Sequence, residues 1–142
     1  MINETIILNQ MNKTLEKTSL PITKKYEGKV RDNYFKDDKI IMVTTDRISA
    51  FDHVLGTIPF KGQILNQMAV FWFDKTKDII KNHLLDFPDP NVMVVQKCEP
   101  LPIEMVVRGY ITGSLWRDYD SGKREIYGLK FPEGLKKDQK FD

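Results

Sequence analysis

Cysteine is nearly absent from this chain: Cys98 is the only one. A single thiol cannot form an internal disulfide, which fits a reducing cytoplasm. Cys98 is expected to act as a small buried hydrophobe rather than as a reactive group. The two histidines, His53 and His83, stand apart with no matching ligands near them, so there is no zinc pattern. Neither has a neighbouring serine or cysteine that would suggest a nucleophile, and both are expected to be structural or surface residues. No apolar run reaches membrane-spanning length. The first residues include Asn3 and Glu4 and lack the basic-then-apolar order of a secretory leader. The expected location is therefore cytoplasmic, with no membrane partner. The net charge of +2 is too small to argue for nucleic acid. There is no internal repeat, no low-complexity tract and no G-x-x-x-x-G-K-[ST] phosphate loop.

What is present is a chain of 142 residues, 41% hydrophobic and 30% charged, which is enough for a folded domain with a real core. Ile7, Leu8, Met11 and Leu15 recur at helical spacing and predict a short helix within residues 4–17. Residues 29–35 and 40–45 are rich in β-formers on either side of the polar turn Lys36-Asp37-Asp38-Lys39, which predicts a hairpin. Residues 46–52 are expected to be a loop. Residues 63–80 place Ile64, Leu65, Met68, Phe71, Trp72, Ile79 and Ile80 largely on one helical face, predicting a long amphipathic helix whose aromatic residues lie in the core. Residues 86–91 read as a proline-rich turn, and 92–97 and 103–110 as strands. Ser114 is expected to cap a short helix over 115–119, followed by a turn at 120–122 and a loose, charged tail. Strands outnumber helices, so the fold class is α+β.

Four segments carry chemistry. In Leu101 to Ser114 an apolar run leads into Arg108, and Gly109 and Gly113 bracket a turn ending in Thr112 and Ser114. A planar, permanently charged guanidinium, close backbone approach and a serine at a helix start suit a phosphate monoester. The competing reading is a buried strand with Arg108 in a structural ion pair. In Gly28-Lys29-Val30-Arg31, strand alternation would put Lys29 and Arg31 on one face and turn Val30 into the packing. Two such cations can clamp nucleotide phosphates, or simply form a solvated strand face. Thr45 to Asp52 gathers Asp46, Arg47, Ser49 and Asp52 around a small apolar centre. The segment can orient a polar substrate, or satisfy itself by pairing Arg47 with Asp46 or Asp52. Lys97-Cys98-Glu99-Pro100-Leu101 joins two predicted strands and is stiffened by Pro100 and Pro102.

These segments occur in the order and wording of one family. With Gly28 to Tyr34, Thr45 to Asp52 and the run Leu-Pro-Ile-Glu-x-Val-Val-Arg-x-x-x-Thr-Gly-Ser at 101–114, the chain resembles the phosphoribosylaminoimidazole-succinocarboxamide synthase (SAICAR synthetase) family. The resemblance runs from about Tyr26 onward. The family's second signature, Asp-x-Lys…Glu-Phe-Gly, is absent, so the chain looks like the front part of such an enzyme. The resemblance implies an ATP-grasp-like N-terminal part: an antiparallel sheet with a glycine-containing nucleotide-binding hairpin. It divides the chain into an N-terminal extension (1–19), an ATP-binding domain (20–98), and a linker with the start of a substrate-binding domain (99–142).

The implied activity is ATP-dependent ligation of L-aspartate to carboxyaminoimidazole ribonucleotide (CAIR) in purine biosynthesis, giving SAICAR, ADP and phosphate. A nucleotide-binding fragment without catalysis is the other reading. The resemblance implies ATP contacts at Gly28, Lys29, Val30, Arg31, Lys97, Glu99 and Leu101. It implies substrate contacts at Arg108, Gly109 and Ser114 with Glu104 beside them, and at Asp46, Arg47, Ser49 and Asp52. Lys61-Gly62 also matches the family, without an assigned role. Magnesium would accompany ATP, but its ligands are expected beyond this chain, so no metal ligand and no single catalytic residue are assigned.

Overall fold

The structure is a computed structural model and describes residues 3–103 and 105–141. The chain forms two compact units, Met1–Glu99 and Pro100–Asp142.

The first unit opens with helix α1 (Glu4–Gln10), capped by the Asn3 side chain, which accepts from the Thr5 amide at 2.9 Å. The helix is shorter than the periodicity of residues 4–17 predicts. Beyond it the chain runs as an extended strap whose backbone groups are claimed by side chains of the sheet. The Leu15 amide donates to Asp46 Oδ2 at 2.8 Å, and the Thr18 amide to Asp32 Oδ2 at 3.0 Å. A helix through this stretch would have to give up those partners.

Strands β1 (Lys25–Glu27), β2 (Arg31–Lys36) and β3 (Lys39–Thr44) follow, then β4 (Arg47–Ala50), β5 (His53–Thr57), helix α2 (Lys61–Thr76), β6 (Leu84–Asp89) and β7 (Val92–Gln96). Five of them form an antiparallel sheet in the order β1-β2-β3-β7-β6. The predicted hairpin is β2–β3. Its register closes at Lys36↔Lys39, and Asp37 adopts a positive φ of 54°, which a short polar residue tolerates. Two expectations are corrected here. Residues 46–52 are not a loop: β4 and β5 pair as a separate ribbon, closed by Phe51 and Asp52, both at positive φ, as a two-residue turn requires. Residues 86–91 are mostly strand β6, and only Pro90 and Asn91 turn.

Helix α2 lies against β3, β6 and β7. Its buried residues are Gly62 and Asn66, one turn apart. Asn66 accepts from Thr44 Oγ1 at 3.3 Å and donates to the Pro90 carbonyl at 3.0 Å. At 100° per residue this contact puts positions 62, 66, 69 and 73 toward the sheet and 64, 68, 71 and 72 away from it. The expectation of a helical aromatic core is therefore overturned: Ile64, Leu65, Met68, Phe71 and Trp72 are 46–58% exposed. Ile79 and Ile80 lie beyond the helix and are exposed as well. The core of this unit is instead Tyr34, Val43, Met93 and Val95 with a polar set around Asp32, Thr45 and Arg47. Cys98 is exposed rather than buried.

In the second unit helix α3 (Gly113–Asp120) packs over a small hairpin, β8 (Glu125–Ile126) and β9 (Leu129–Lys130). Ile111, Leu115, Tyr119 and Ile126 form its core, with Trp116, Phe131, Leu135 and Phe141 against them. The tail is thus folded rather than loose. Tyr119 Oη donates to the Pro132 carbonyl at 2.8 Å and accepts from the Leu135 amide at 3.1 Å, tying the tail to α3. Among the described residues of 103–110 the expected strand does not form. Met105, Val106 and Val107 are exposed, and pairing begins only where the tail meets residues 109–111. There Phe141 donates to the Gly109 carbonyl, and Ile111 to that of Gln139, both at 2.9 Å. Ser114 lies inside the first turn of α3, and Thr112 holds the cap position. No helix among the described residues is long and apolar enough to cross a membrane.

Candidate functional site

The Gly28–Arg31 segment is not a strand face. It is the tight turn between β1 and β2, closed by the Gly28 amide on the Arg31 carbonyl at 2.8 Å. A Cβ on Gly28 would stand 3.1 Å from that carbonyl, which explains a glycine here. Lys29 and Arg31 are therefore not placed by strand alternation. They are exposed cations at a turn and at the first residue of β2. Val30 is half-buried, and its carbonyl accepts from the Thr45 amide at 3.0 Å and Thr45 Oγ1 at 2.9 Å.

The turn is held from beneath by Arg47. Of the two partners open to it in the sequence, Asp46 and Asp52, it takes neither as an ion pair. Arg47 is 3% exposed, and its Nη2 meets Asp32 Oδ1 at 2.8 Å. Its other donors reach the carbonyls of Gly28 at 2.9 Å, Lys29 at 3.1 Å, and Glu16. A planar fork satisfying a carboxylate and three carbonyls fixes the turn's backbone. Asp32, fully buried, is the residue that the sequence reading missed. Burial pushes its carboxyl up, but hydrogen bonds from Thr18, Arg47 and Lys25 outweigh burial and hold it at about 2. The only hint in the sequence was an acid inside a β-prone run.

Asp46 is also buried, with both carboxylate oxygens engaged on backbone amides. Within residues 45–52, Ser49 and Asp52 are the candidate residues open to solvent. Asp52, at the ribbon tip, pairs with Lys29. That hydrogen bond and the lysine's charge hold the Asp52 carboxyl below its usual range. The structure thus brings Lys29 and Asp52 together and sets Arg47 under the Lys29 backbone, while Asp46 is turned to the Leu15 and Gly62 amides. Lys97 and Glu99 are exposed, and the Lys97 amide donates to the Asp38 carbonyl at 2.8 Å.

In the second unit Arg108 is half-buried, and its Nη2 donates to Ser114 Oγ at 3.2 Å. Gly113, at φ +61°, lies beneath the guanidinium: a Cβ there would be 3.6 Å from Nη1. Arg108 has no acidic partner among the described residues. A guanidinium over the first turn of a helix, beside a serine hydroxyl, can bind an anion. Gly109 is exposed, as is Leu101; Glu104 lies outside the described residues.

These features define an α+β protein with an antiparallel sheet, one packed helix and a small second unit. Residues 24–142 match the SAICAR synthetase family. The phosphoribosylaminoimidazole-succinocarboxamide synthase of Legionella pneumophila (strain Paris) is 54% identical over 132 residues, covering 90% of this chain and 42% of that protein. A structure described as SAICAR-synthase from Saccharomyces cerevisiae complexed with SAICAR matches with a TM-score of 0.80 and 35% identity, over 89% of this chain and 51% of that one. A type-2 SAICAR synthetase in complex with ADP matches with a TM-score of 0.60 and 28% identity, over 78% of this chain and 47% of that one. The chain belongs to the SAICAR synthetase family, and it spans about two fifths of the length of the Legionella relative.

Proposed function

We propose that this chain is the front part of an ATP-dependent carbon–nitrogen ligase of purine biosynthesis, joining L-aspartate to the carboxylate of CAIR to give SAICAR, ADP and phosphate. A carboxylate is a poor acyl donor because its leaving group would be oxide. Transfer of the ATP γ-phosphoryl group converts it to an acyl phosphate, and the aspartate amine then displaces phosphate to form the amide. Such chemistry relies on positioning and charge neutralisation. Lys29 and Arg31 supply cations for the ATP phosphates on the Gly28 turn, and Lys97, Glu99 and Leu101 border the base. Arg108, Gly109 and Ser114 take the CAIR 5′-phosphate, with Glu104 nearby in a supporting role. Ser49 and Asp52 line the substrate side, while Asp46 and Arg47 act through the backbone they hold. Compartment and soluble small-molecule partners follow the same reading: cytoplasm, with no nucleic acid and no membrane.

The observation that carries this reading is Arg108, half-buried over the start of α3, hydrogen-bonded to Ser114 and without an acid to neutralise it among the described residues. Magnesium accompanies ATP in phosphoryl transfer. No three metal-ligating side chains converge among the described residues, and the protein ligands of that ion are expected in the part of family-length proteins beyond this chain. The relatives bound to SAICAR and to ADP support the substrate classes.

The test joins residues 1–142 to the remainder of the Legionella relative and follows ADP release. Release that requires both CAIR and aspartate supports the ligase. A folded joined protein that binds ATP without such turnover favours the non-catalytic nucleotide-binding reading, and one that binds neither ATP nor CAIR overturns both.

A further inference from the structure

We propose that the outward side of α2 is a docking surface for the polypeptide that follows the matched region in family-length proteins. Ile64, Met68, Phe71 and Trp72 lie there about half exposed, and with Gln67 they line a shallow groove of about 480 Å³. Residues 62–73 contain no charged side chain, over three helical turns. A helix that faces water normally carries charge on that side, and an apolar stripe of this length marks a contact surface. The helix cannot rotate to bury it. Gly62 sits against the Thr44 and Thr45 backbone, and Asn66 is bonded to Thr44 and Pro90, so the opposite side is fixed on the sheet.

The occupant follows from length. The chain keeps its fold over 89% of its residues in the yeast structure, yet aligns with only 51% of that chain, and with 42% of the Legionella relative. About half of each longer protein therefore folds beside a part shaped like this one, and an uncharged groove is a surface for such permanent packing. A second copy on this side is the other occupant, and the test below separates the two.

The test reads the accessibility of position 68. Met68→Cys in a Cys98→Ser background is alkylated, and the modified peptide is quantified by mass spectrometry. In the 142-residue protein the reaction is fast at every protein concentration. In residues 1–142 joined to the remainder of the Legionella relative it slows by about tenfold or more, as for a group reached only through local opening. Equal rates in a folded joined protein overturn the proposal. Slowing of the 142-residue protein with rising concentration also overturns it, because a second copy is then the occupant.

Discussion

Asp46 Oδ1 accepts a hydrogen bond from the Gly62 amide at 2.8 Å, and this contact caps α2 from outside its own segment. The residue before the helix, Phe60, sits at φ +65° and offers no side-chain cap. The aspartate supplies both the missing acceptor and a negative charge at the positive end of the helix. Its other oxygen holds Leu15, so one carboxylate fastens both the strap and α2 to the end of β3. Gly62 permits this closeness. A Cβ there would lie 2.4 Å from the Thr44 carbonyl oxygen and 2.9 Å from the Thr45 carbonyl carbon. Gly62→Ala is expected to destabilise the protein by about 1–3 kcal/mol through overpacking against backbone that cannot yield. Chemical denaturation measures it, and an unchanged midpoint and slope would refute the close contact.

This relationship marks what was legible in the sequence. The β2–β3 hairpin was visible because its turn is local and polar. The existence of α2 was visible from its apolar residues, but which side it buries was not. That side is chosen by Gly62 and Asn66, two inconspicuous residues whose partners, Asp46, Thr44 and Pro90, lie in other segments. Arg108 and Ser114 were legible as a pair because they are six residues apart. Asp32 was not, since an acid in a strand gains its role only when Arg47 arrives fifteen residues later. Residues 103–110 read as a strand by composition, and composition cannot say whether a pairing partner exists.

Asp32 predicts a pH dependence. Its carboxyl is held at about 2 in the folded chain, against about 3.9 for an unperturbed aspartate. A folded value below the unfolded one gives stability that is fully present above about pH 4 and lost as the pH falls through 2. The loss from this group is roughly 2 kcal/mol. Denaturation midpoints between pH 5 and 2 test it, with Asp32→Asn as the reference. The variant is less stable at neutral pH because Arg47 loses its buried counter-charge, and its acid slope is shallower. An identical slope in both proteins would assign the acid sensitivity elsewhere.

The double change Lys29→Ala/Arg31→Ala is expected to weaken ATP binding by about tenfold or more, from loss of charge-assisted contacts worth about 1.5–3 kcal/mol. The fold should persist, because both side chains are exposed and the turn is held by Arg47. Calorimetric titration with ATP reads the affinity, and circular dichroism reads the fold. Unchanged affinity in a folded double mutant removes the turn from the nucleotide site.

Arg108→Lys retains the charge and loses the planar fork. In the joined protein it is expected to impair use of CAIR more than use of ATP. Varying each substrate in turn separates the two effects. Equal damage to both would make Arg108 a structural residue of the second unit, acting through its bond to Ser114.

The 142-residue chain alone is expected to bind ATP weakly and to catalyse no ligation. Its exposed cations attract phosphates. Phosphoryl transfer also needs the developing charge neutralised between those phosphates, and no three metal-ligating side chains converge among the described residues to hold a metal ion. The Lys29 and Asp52 side chains, 56% and 85% exposed, stand in water, where charge–charge interactions are weak. A second wall that excludes water would strengthen each of these contacts without changing a residue on this side. The comparison to make is ADP release dependent on both CAIR and aspartate, in the isolated chain and in the joined protein. Equal turnover in the two would mean that the longer polypeptide is dispensable for the chemistry, and that the Gly28 turn and the Arg108 segment suffice.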